Sequence, residues 1–128
     1  MREIIFKAKT NNGWVEGMLA NKNGKYYISN SSGSPFAYEV FPETLCQFTG
    51  LCDKNGNKIW ENDILMAHLD ESYPEDAAYE TVEWNVAGWV THETGSTDRE
   101  YIDKFDLEHY EVIGNIFDNP ELLQGSVK

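Results

Sequence analysis

The sequence has few of the residues on which metal sites and catalytic sites are commonly built. It contains two cysteines and three histidines, whereas a structural zinc site needs about four such ligands at short, regular spacings. Cys46 and Cys52 are therefore predicted to be reduced thiols that lie in the core or are half-buried. The sequence also lacks a Walker loop, a GxSxG motif and an HExxH motif. We expect no metal, no cofactor and no enzymatic activity.

Long hydrophobic runs and basic clusters are missing as well. No window approaches the roughly eighteen consecutive apolar residues that indicate a membrane-spanning helix. The start of the chain, MREIIFKAKTNNGW, lacks the long apolar region of a secretory signal. These absences predict no membrane association and a cytoplasmic location. Direct binding to nucleic acid is not expected either, because it requires clustered Lys and Arg to replace the counterions of phosphates.

Negative charge is abundant and unevenly distributed. The net charge is -12, and residues 1–60 contain seven Lys or Arg and five Asp or Glu, whereas residues 61–111 contain two and fifteen. The simplest interpretation is a solvated acidic surface that maintains solubility. The alternatives are a face that binds a basic protein partner and a face that imitates nucleic acid. The opposite charges of the two regions also favour head-to-tail association into a homo-oligomer.

Short runs of β-branched and aromatic residues alternate with turn signals along the chain. Asn-Gly dipeptides at residues 12–13, 23–24 and 55–56 each separate two such runs, a pattern typical of hairpins with type I′ turns. The segment ETVEWNVAGWVTHE predicts another hairpin, with its tip at residues 85–88. The sequence therefore predicts a mainly β fold.

Helical signals are weak by comparison. Pro42 favours a turn or a single helical turn. The sequence Asn119, Pro120, Glu121 has the form of a helix start, with a capping Asn, a proline at the first helical position and an acid in the first turn. Gly114 interrupts the strand pattern HYEVIGNIF, which indicates a bulge or a close backbone approach.

The stretch DKNGNKIWENDIL, residues 53–65, alternates oxygen-bearing side chains like the start of a calcium loop. A calcium loop has a glycine at its sixth position and a glutamate at its twelfth. Counted from Asp53, these positions are Lys58 and Ile64, and no helical pattern flanks the stretch. We predict a hairpin turn and no metal site.

A run of acids near the C-terminal end of the negative region is a further candidate. Its members are Asp98, Glu100, Asp103, Asp106 and Glu108. A metal site or a proton-sharing pair would need these side chains to converge on rigid elements. The segments that hold them have no strong periodicity, so we interpret the run as a solvated face.

Tryptophans at the predicted hairpin tip are the other candidate surface. Trp84 and Trp89 flank the tip, where one indole would be an exposed anchor for a partner. The alternative is that both fill the core. The predicted protein-binding residues are Asp70, Glu71, Glu75, Asp76, Trp84 and Trp89.

Three blocks of the sequence resemble one family. QFTGLCDKNGNKIWENDIL resembles the central signature QFTGL-x-DKNG-x-x-I-[YW]-EGDI of the YopX-like family of phage and prophage proteins. The N-terminal MREIIFKA resembles the family's MREIKFRAW, and the C-terminal YEVIGNIFDNPELL resembles EVIGNIYENPELL. Asn62 stands where the family has the glycine of EGDI. Because Asn tolerates a left-handed backbone, we expect the turn to be kept.

The resemblance implies a fold and an origin but no catalytic residues. It implies two packed β subdomains: coiled, branched sheets in residues 1–50 and an SH3-like pseudo-barrel in residues 51–123, which together count as one YopX-like domain. Residues 124–128 are then a flexible tail. It also implies a phage or prophage origin and the cytoplasm of a bacterial host. We predict a non-enzymatic protein-interaction or self-assembling module with an unidentified protein partner; the alternative is an acidic, DNA-mimicking inhibitor of a host DNA-binding protein.

Overall fold

The computed structural model describes residues 5–29, 37–67 and 78–124. Strands account for more than half of these residues, and the α-helix among them is four residues long, which confirms the mainly β prediction. That helix falls far short of the roughly twenty residues needed to span a bilayer, and no other helix of the described ranges has the required length and hydrophobicity. The chain divides into two compact units, Met1–Gly50 and Leu51–Lys128.

Eleven strands in the described ranges form two antiparallel sheets. They are β1 (Phe6–Thr10), β2 (Gly13–Lys22), β3 (Lys25–Ser29), β4 (Tyr38–Glu39), β5 (Cys46–Cys52), β6 (Lys58–Trp60), β7 (Asp63–Ala67), β8 (Ala78–Asn85), β9 (Gly88–Glu93), β10 (Arg99–Tyr101) and β11 (Tyr110–Asn115). The sheet orders are β4-β3-β2-β1-β5-β6 and β10-β9-β8-β7-β11. Two 3-10 helices, Pro42–Thr44 and Asp106–His109, and helix α1 (Glu121–Gln124) complete the described elements.

One face of the sheet in the first unit holds a small core. The register places Ala8 opposite Val15 and Leu19 opposite Ile28, so these side chains share a face of the pleated sheet. Ala8 and Ile28 are fully buried together with Val40. On the other face, the ammonium groups of two lysines of β1 lie over the ring of Trp14.

The three Asn-Gly dipeptides lie at hairpin turns as predicted, but one alone has the predicted type I′ conformation. Asn23 (φ 55°) and Gly24 (φ 80°) are both left-handed, as that turn requires. At the other two sites only the glycine is left-handed, with φ values of 112° at Gly13 and 83° at Gly56. At both sites the turn lies one residue earlier. Thr10 pairs with Gly13 across the first turn, and the N–H of Gly56 donates to the carbonyl of Asp53 at 3.0 Å in the other. The glycine then follows the two turn residues, as in hairpins with a bulge.

The core of the second unit lies against one face of the five-stranded sheet. On that sheet its members are Leu65, Ala67, Val82, Trp89 and Tyr110, and we call the face that carries them the core face. The register places Ala67 opposite Tyr110 on β11 and opposite Ala78 on β8. The order of this sheet is open within the described residues, with β10 and β11 at its edges. Closure into an SH3-like pseudo-barrel therefore stays a prediction.

Gly114 marks a bulge, which is one of the two alternatives that its position in the strand pattern predicts, and the group that approaches it closely is a side chain and not a backbone segment. The register between β11 and β7 shifts between Val112 and Gly114, which is a bulge. A Cβ atom on Gly114 would lie 2.7 Å from Cγ of Asn119. The side chain of Asn119 faces β11, because its Oδ1 accepts a hydrogen bond from the N–H of Asn115 at 3.2 Å. The backbone carbonyl of Asn119 accepts the N–H of Leu122 in α1 at 3.1 Å.

Asn62 keeps the turn that the family signature places between β6 and β7. Its φ of 72° lies in the left-handed region, which confirms the expectation that Asn substitutes for glycine at this position. The N–H of Asn62 donates to the carbonyl of Val82 at 2.8 Å, and its own carbonyl accepts the N–H of Ile116 at 3.0 Å. The left-handed turn thus positions two backbone hydrogen bonds of the second unit.

Candidate functional site

Asp53, which begins the calcium-like stretch, is buried and surrounded by hydrogen-bond donors. Its Oδ1 accepts from the N–H groups of Asn55 and Asn57, both at 2.9 Å, and its Oδ2 accepts from the N–H of Val112 at 2.9 Å. Burial alone would raise the pKa of this carboxyl, but these hydrogen bonds outweigh it and hold the pKa below its ordinary value of 3.8. The stretch forms the predicted hairpin turn, and its aspartate attaches that turn to β11.

The second unit also carries a concave surface lined mainly by carboxylates, which we call the acidic groove. Its volume is about 340 Å³. It is lined by Glu80, Glu93, Asp98, Glu100 and Asp106, by the hydroxyl-bearing residues Thr91, Ser96 and Tyr110, and by Ala67 and Ala78. Among the described residues no basic side chain lines it. The five acids are not arranged as metal ligands, since no three His, Cys, Asp or Glu side chains of the described ranges form such a group.

Strand register brings the acidic side chains together. Glu80 on β8 lies directly opposite Glu93 on β9, and Glu100 on β10 lies directly opposite Thr91 on β9. Directly opposed residues project to the same side of a sheet, so these side chains stand on the core face. The remaining two acids come from the segment before β10 and from the 3-10 helix Asp106–His109.

Burial and neighbouring charges both act on the titratable groups of the acidic groove. Burial raises the pKa of Glu80, a hydrogen bond with Thr91 lowers it, and the carboxylates of Glu93, Glu100 and Asp106 raise it again, with a net increase above the ordinary value of 4.5. Burial likewise raises the pKa of the neighbouring Tyr110 phenol to about 12. Like charges directly opposite on adjacent strands repel each other. The acidic groove therefore holds carboxylates that a bound cation would stabilise.

A neutralised cluster on the other face of the same sheet contrasts with the acidic groove. Oε2 of Glu83 accepts a hydrogen bond from Nε of Arg99 at 2.9 Å, and Oε1 of Glu83 lies 3.5 Å from Nδ1 of His92. Nε2 of His92 contacts the carbonyl of Ser96. The carboxylate of Glu83 is thus matched by a guanidinium within its own sheet, unlike the carboxylates of the acidic groove.

The two tryptophans at the hairpin have different environments. Trp84 and Trp89 lie directly opposite each other, with ring centroids 5.0 Å apart and an interplanar angle of 70°. Trp89 is 6% exposed and packs in the core, whereas Trp84 is 53% exposed. Trp84 alone of this pair is therefore accessible to a partner. The other predicted binding residues, Asp70, Glu71, Glu75 and Asp76, lie outside the described residues.

The structure brings together part of the acid run that the sequence singles out. Asp98, Glu100 and Asp106 line the acidic groove, whereas Asp103 and Glu108 are exposed and do not line it. Sequence reasoning missed Glu80 on β8 and Glu93 on β9, which line the same groove. A signal for them exists, because a hairpin with its tip at residues 85–88 necessarily pairs positions 80 and 93. Four acids of the run, Asp98, Glu100, Asp103 and Glu108, are exposed, in agreement with its interpretation as a solvated face, but that interpretation did not include the convergence of three of its acids on one groove.

Comparisons with known proteins bear on the fold and the family of the chain. The crystal structure of protein EF1440 from Enterococcus faecalis is similar in fold, with a TM-score of 0.63 and 22% sequence identity over 96% of this chain and 99% of that chain. No curated protein sequence matches the chain. The family model described as YopX protein matches residues 2–124, in agreement with the resemblance of the three sequence blocks. Since this match spans nearly the whole sequence, the chain belongs to the YopX protein family.

Proposed function

We propose that this protein is a non-enzymatic protein-interaction module of a phage or prophage that acts in the cytoplasm of the bacterial host. Its acidic groove receives basic side chains, lysine or arginine, from a segment of a protein partner. The observation that supports this proposal best is the convergence of five carboxylates on one concave surface of the second unit. The phage origin and the host location are inferred from the family resemblance.

The size of the acidic groove suits side chains better than a folded element. Its volume of about 340 Å³ lies at the low end of the range of ligand pockets, about 300–1,000 Å³. A lysine ammonium or an arginine guanidinium offers several hydrogen-bond donors to converging carboxylates. The long apolar stems of these side chains can pack against small apolar residues such as Ala67 and Ala78.

Electrostatics favour a basic partner in two ways. Burial and the neighbouring carboxylates together raise the pKa of Glu80, and a cation held between Glu80, Glu93 and Glu100 offsets the repulsion among these carboxylates. The net charge of -12 also attracts basic partners over distances comparable to the Debye length. Both effects weaken with ionic strength, so binding through the acidic groove is expected to be strongly salt-dependent.

The raised pKa of Glu80 is a property that catalytic acids share, but a binding function accounts for it more simply. Burial and the like charges around it already explain the shift. The sequence contains none of the common motifs that join a nucleophile to a base. We therefore propose that the carboxylates bind and do not catalyse.

The alternative function, DNA mimicry, receives less support from this geometry. A mimic presents its carboxylates outward, in rows that follow the regularly spaced phosphates of a duplex. Here Glu80, Glu93 and Glu100 converge on one groove, and Glu83 is paired with Arg99 on the opposite face. Among the described residues, the arrangement of these carboxylates is more typical of a cation-binding groove than of a row of phosphates.

Titration of a short oligolysine peptide into the full chain, followed by calorimetry, tests the proposal. We expect binding at low salt that weakens at least about tenfold at roughly 0.5 M NaCl. Replacing Glu93 and Glu100 together by Gln should weaken binding at least about tenfold at low salt. The matched control replaces Glu108 and Glu121 together by Gln, because both are exposed and neither lines the acidic groove. Equal losses in both variants would show that net charge alone attracts the peptide, against the proposal.

A further inference from the structure

The hairpin of β2 and β3 ends in a basic tip, residues 22–25. β1 pairs with β2 at residues 13–17, and β4 pairs with β3 at Tyr27 and Ile28. The tip lies beyond both of these neighbours, and Lys22 and Lys25 pair with each other. All four tip residues are exposed, and the left-handed Asn23 and Gly24 define a tight type I′ turn. The basic tip is therefore a narrow projection that carries two lysines.

The two lysines of the basic tip stand directly opposite each other across the hairpin. Like charges at directly opposed positions destabilise a strand pair. An anionic partner that contacts both ammonium groups removes this repulsion. The other two lysines of the first unit are already engaged, since Nζ of Lys7 and of Lys9 lie 4.7 Å and 5.5 Å from the ring centroid of Trp14.

The acidic groove contains the matching arrangement with the opposite sign. Glu80 and Glu93 are directly opposed on β8 and β9, as Lys22 and Lys25 are on β2 and β3. Directly opposed residues in both hairpins have Cβ atoms about 4.5–5.5 Å apart. Two directly opposed like-charge pairs thus occur in the same chain, one in a projection and the other in a concave surface. Repulsion destabilises each pair by itself, and contact between the two ammonium groups and the two carboxylates would remove the repulsion in both.

We propose that the basic tip of one copy of this chain docks in the acidic groove of a second copy, so that the protein associates head to tail. This inference rests on the proposed function, because it names a second copy as the partner that the acidic groove receives. Lys22 and Lys25 of one copy contact the carboxylates of Glu80 and Glu93 of the other. Since tip and groove are different surfaces, the contact is heterologous and extends into chains unless it closes into a ring.

Sedimentation velocity of the full chain at about 0.05 M NaCl tests this arrangement, because weak screening leaves the attraction intact. Wild-type protein should sediment as species larger than the 14.7 kDa chain. The tip variant, Lys22→Glu with Lys25→Glu, and the groove variant, Glu93→Lys with Glu100→Lys, should each sediment as monomers. Mixed together they should associate again, because the tip variant keeps an intact groove that receives the intact tip of the groove variant.

A matched control replaces Lys54 and Lys104 by Glu. Both lysines are exposed and lie outside the two surfaces, and the net charge equals that of the tip variant, so self-association should match that of wild type. Circular dichroism establishes that each variant is folded. Association of the tip variant alone, or no complex in the mixture, would overturn the inference. A monomeric wild type whose acidic groove still binds oligolysine overturns this inference and leaves the proposed function intact. If the acidic groove binds neither a second copy nor oligolysine, both this inference and the proposed function are wrong.

Discussion

The backbone N–H of Val112 donates a hydrogen bond to Oδ2 of Asp53 at 2.9 Å, across 59 positions of the sequence. The other oxygen of this carboxylate accepts the N–H groups of Asn55 and Asn57. One buried side chain thus sets the shape of a hairpin turn and joins that turn to β11. The stretch that resembles a calcium loop is a structural junction of the second unit.

We expect Asp53→Asn to lower the free energy of unfolding by about 2–3 kcal/mol, because an amide offers one acceptor oxygen where the carboxylate offers two charged ones. The control is Asp103→Asn, which alters an exposed carboxylate that accepts the N–H of Phe105 at 2.9 Å. Its effect should be within about 0.5 kcal/mol. Urea unfolding followed by tryptophan fluorescence measures both values, and equal losses would contradict the junction role.

The lowered pKa of Asp53 also predicts a dependence of stability on pH. A carboxyl with a lower pKa in the folded state than its ordinary 3.8 stabilises the fold above pH 3.8. This contribution is lost as the pH falls through the folded-state pKa. The acid-induced loss of stability in this range should be smaller in Asp53→Asn than in wild type. Identical acid unfolding curves for the two proteins would argue against a lowered pKa.

Calcium should not stabilise the protein through this turn. The oxygens of Asp53 are already occupied by backbone donors, so binding a cation would break those hydrogen bonds. A ligand of the native state at a hundred times its dissociation constant adds about 2.7 kcal/mol to stability. We expect calorimetry during a calcium titration to show no increase in the melting temperature that depends on Asp53. An increase that Asp53→Ala abolishes would overturn the assignment of this stretch as a hairpin turn.

Glu80→Gln should stabilise the protein at neutral pH. The pKa of Glu80 is raised above its ordinary 4.5 by burial and by neighbouring carboxylates, so its ionised form is unfavourable in the folded state. Below pH 4.5 the variant and wild type should have equal stability. The difference should grow as the pH rises through the folded-state pKa and then stay constant. Thermal melts across this range measure it, with the exposed Glu108→Gln as a control for the removal of one carboxylate.

Gly114→Ala should be destabilising because of Asn119. The new Cβ would lie 2.7 Å from Cγ of Asn119, which displaces the side chain that accepts the N–H of Asn115. We expect a loss of about 1–3 kcal/mol, the usual effect of overpacking. In an Asn119→Ala background the same substitution should have a smaller effect, because most of the obstructing atoms are absent. If Gly114→Ala lowers the stability equally in both backgrounds, the side chain of Asn119 is not the cause of the destabilisation.

Local signals in the sequence were sufficient for most of the architecture. The segments KYYIS and KIW, which follow the second and third Asn-Gly dipeptides, form the strands Lys25–Ser29 and Lys58–Trp60, because turn residues on both sides limit each run. Turn type was predicted less well. An Asn-Gly pair occupies either the two central positions of a turn or the last central position and the bulge after it, and strand register decides between these. At residues 12–13 and 55–56 the register placed the turn one position earlier.

Long-range relationships account for what the sequence did not reveal. The hydrogen bond between Asp53 and Val112 depends on packing between segments far apart in the chain. The acidic groove depends on β8, β9 and β10 lying side by side and on the 3-10 helix Asp106–His109 reaching the same surface. Acids at these positions are indistinguishable from a solvated face until the pairing of strands is known. Composition indicated negative charge in this region but could not indicate its concave arrangement.

The two cysteines occupy the ends of one strand that passes from the first unit to the second. Cys46 begins β5 and is buried as predicted, whereas Cys52 ends it and is exposed, so the prediction that both lie in the core or half-buried is wrong for Cys52. A maleimide reagent should therefore label Cys52 of the native protein at once. Cys46 should react only when the strand end in the first unit opens, so its labelling rate reports the free energy of that local opening. The natural sequence thus provides one thiol that labels in the native state and a second thiol whose labelling rate measures local opening of the first unit, with no residue introduced.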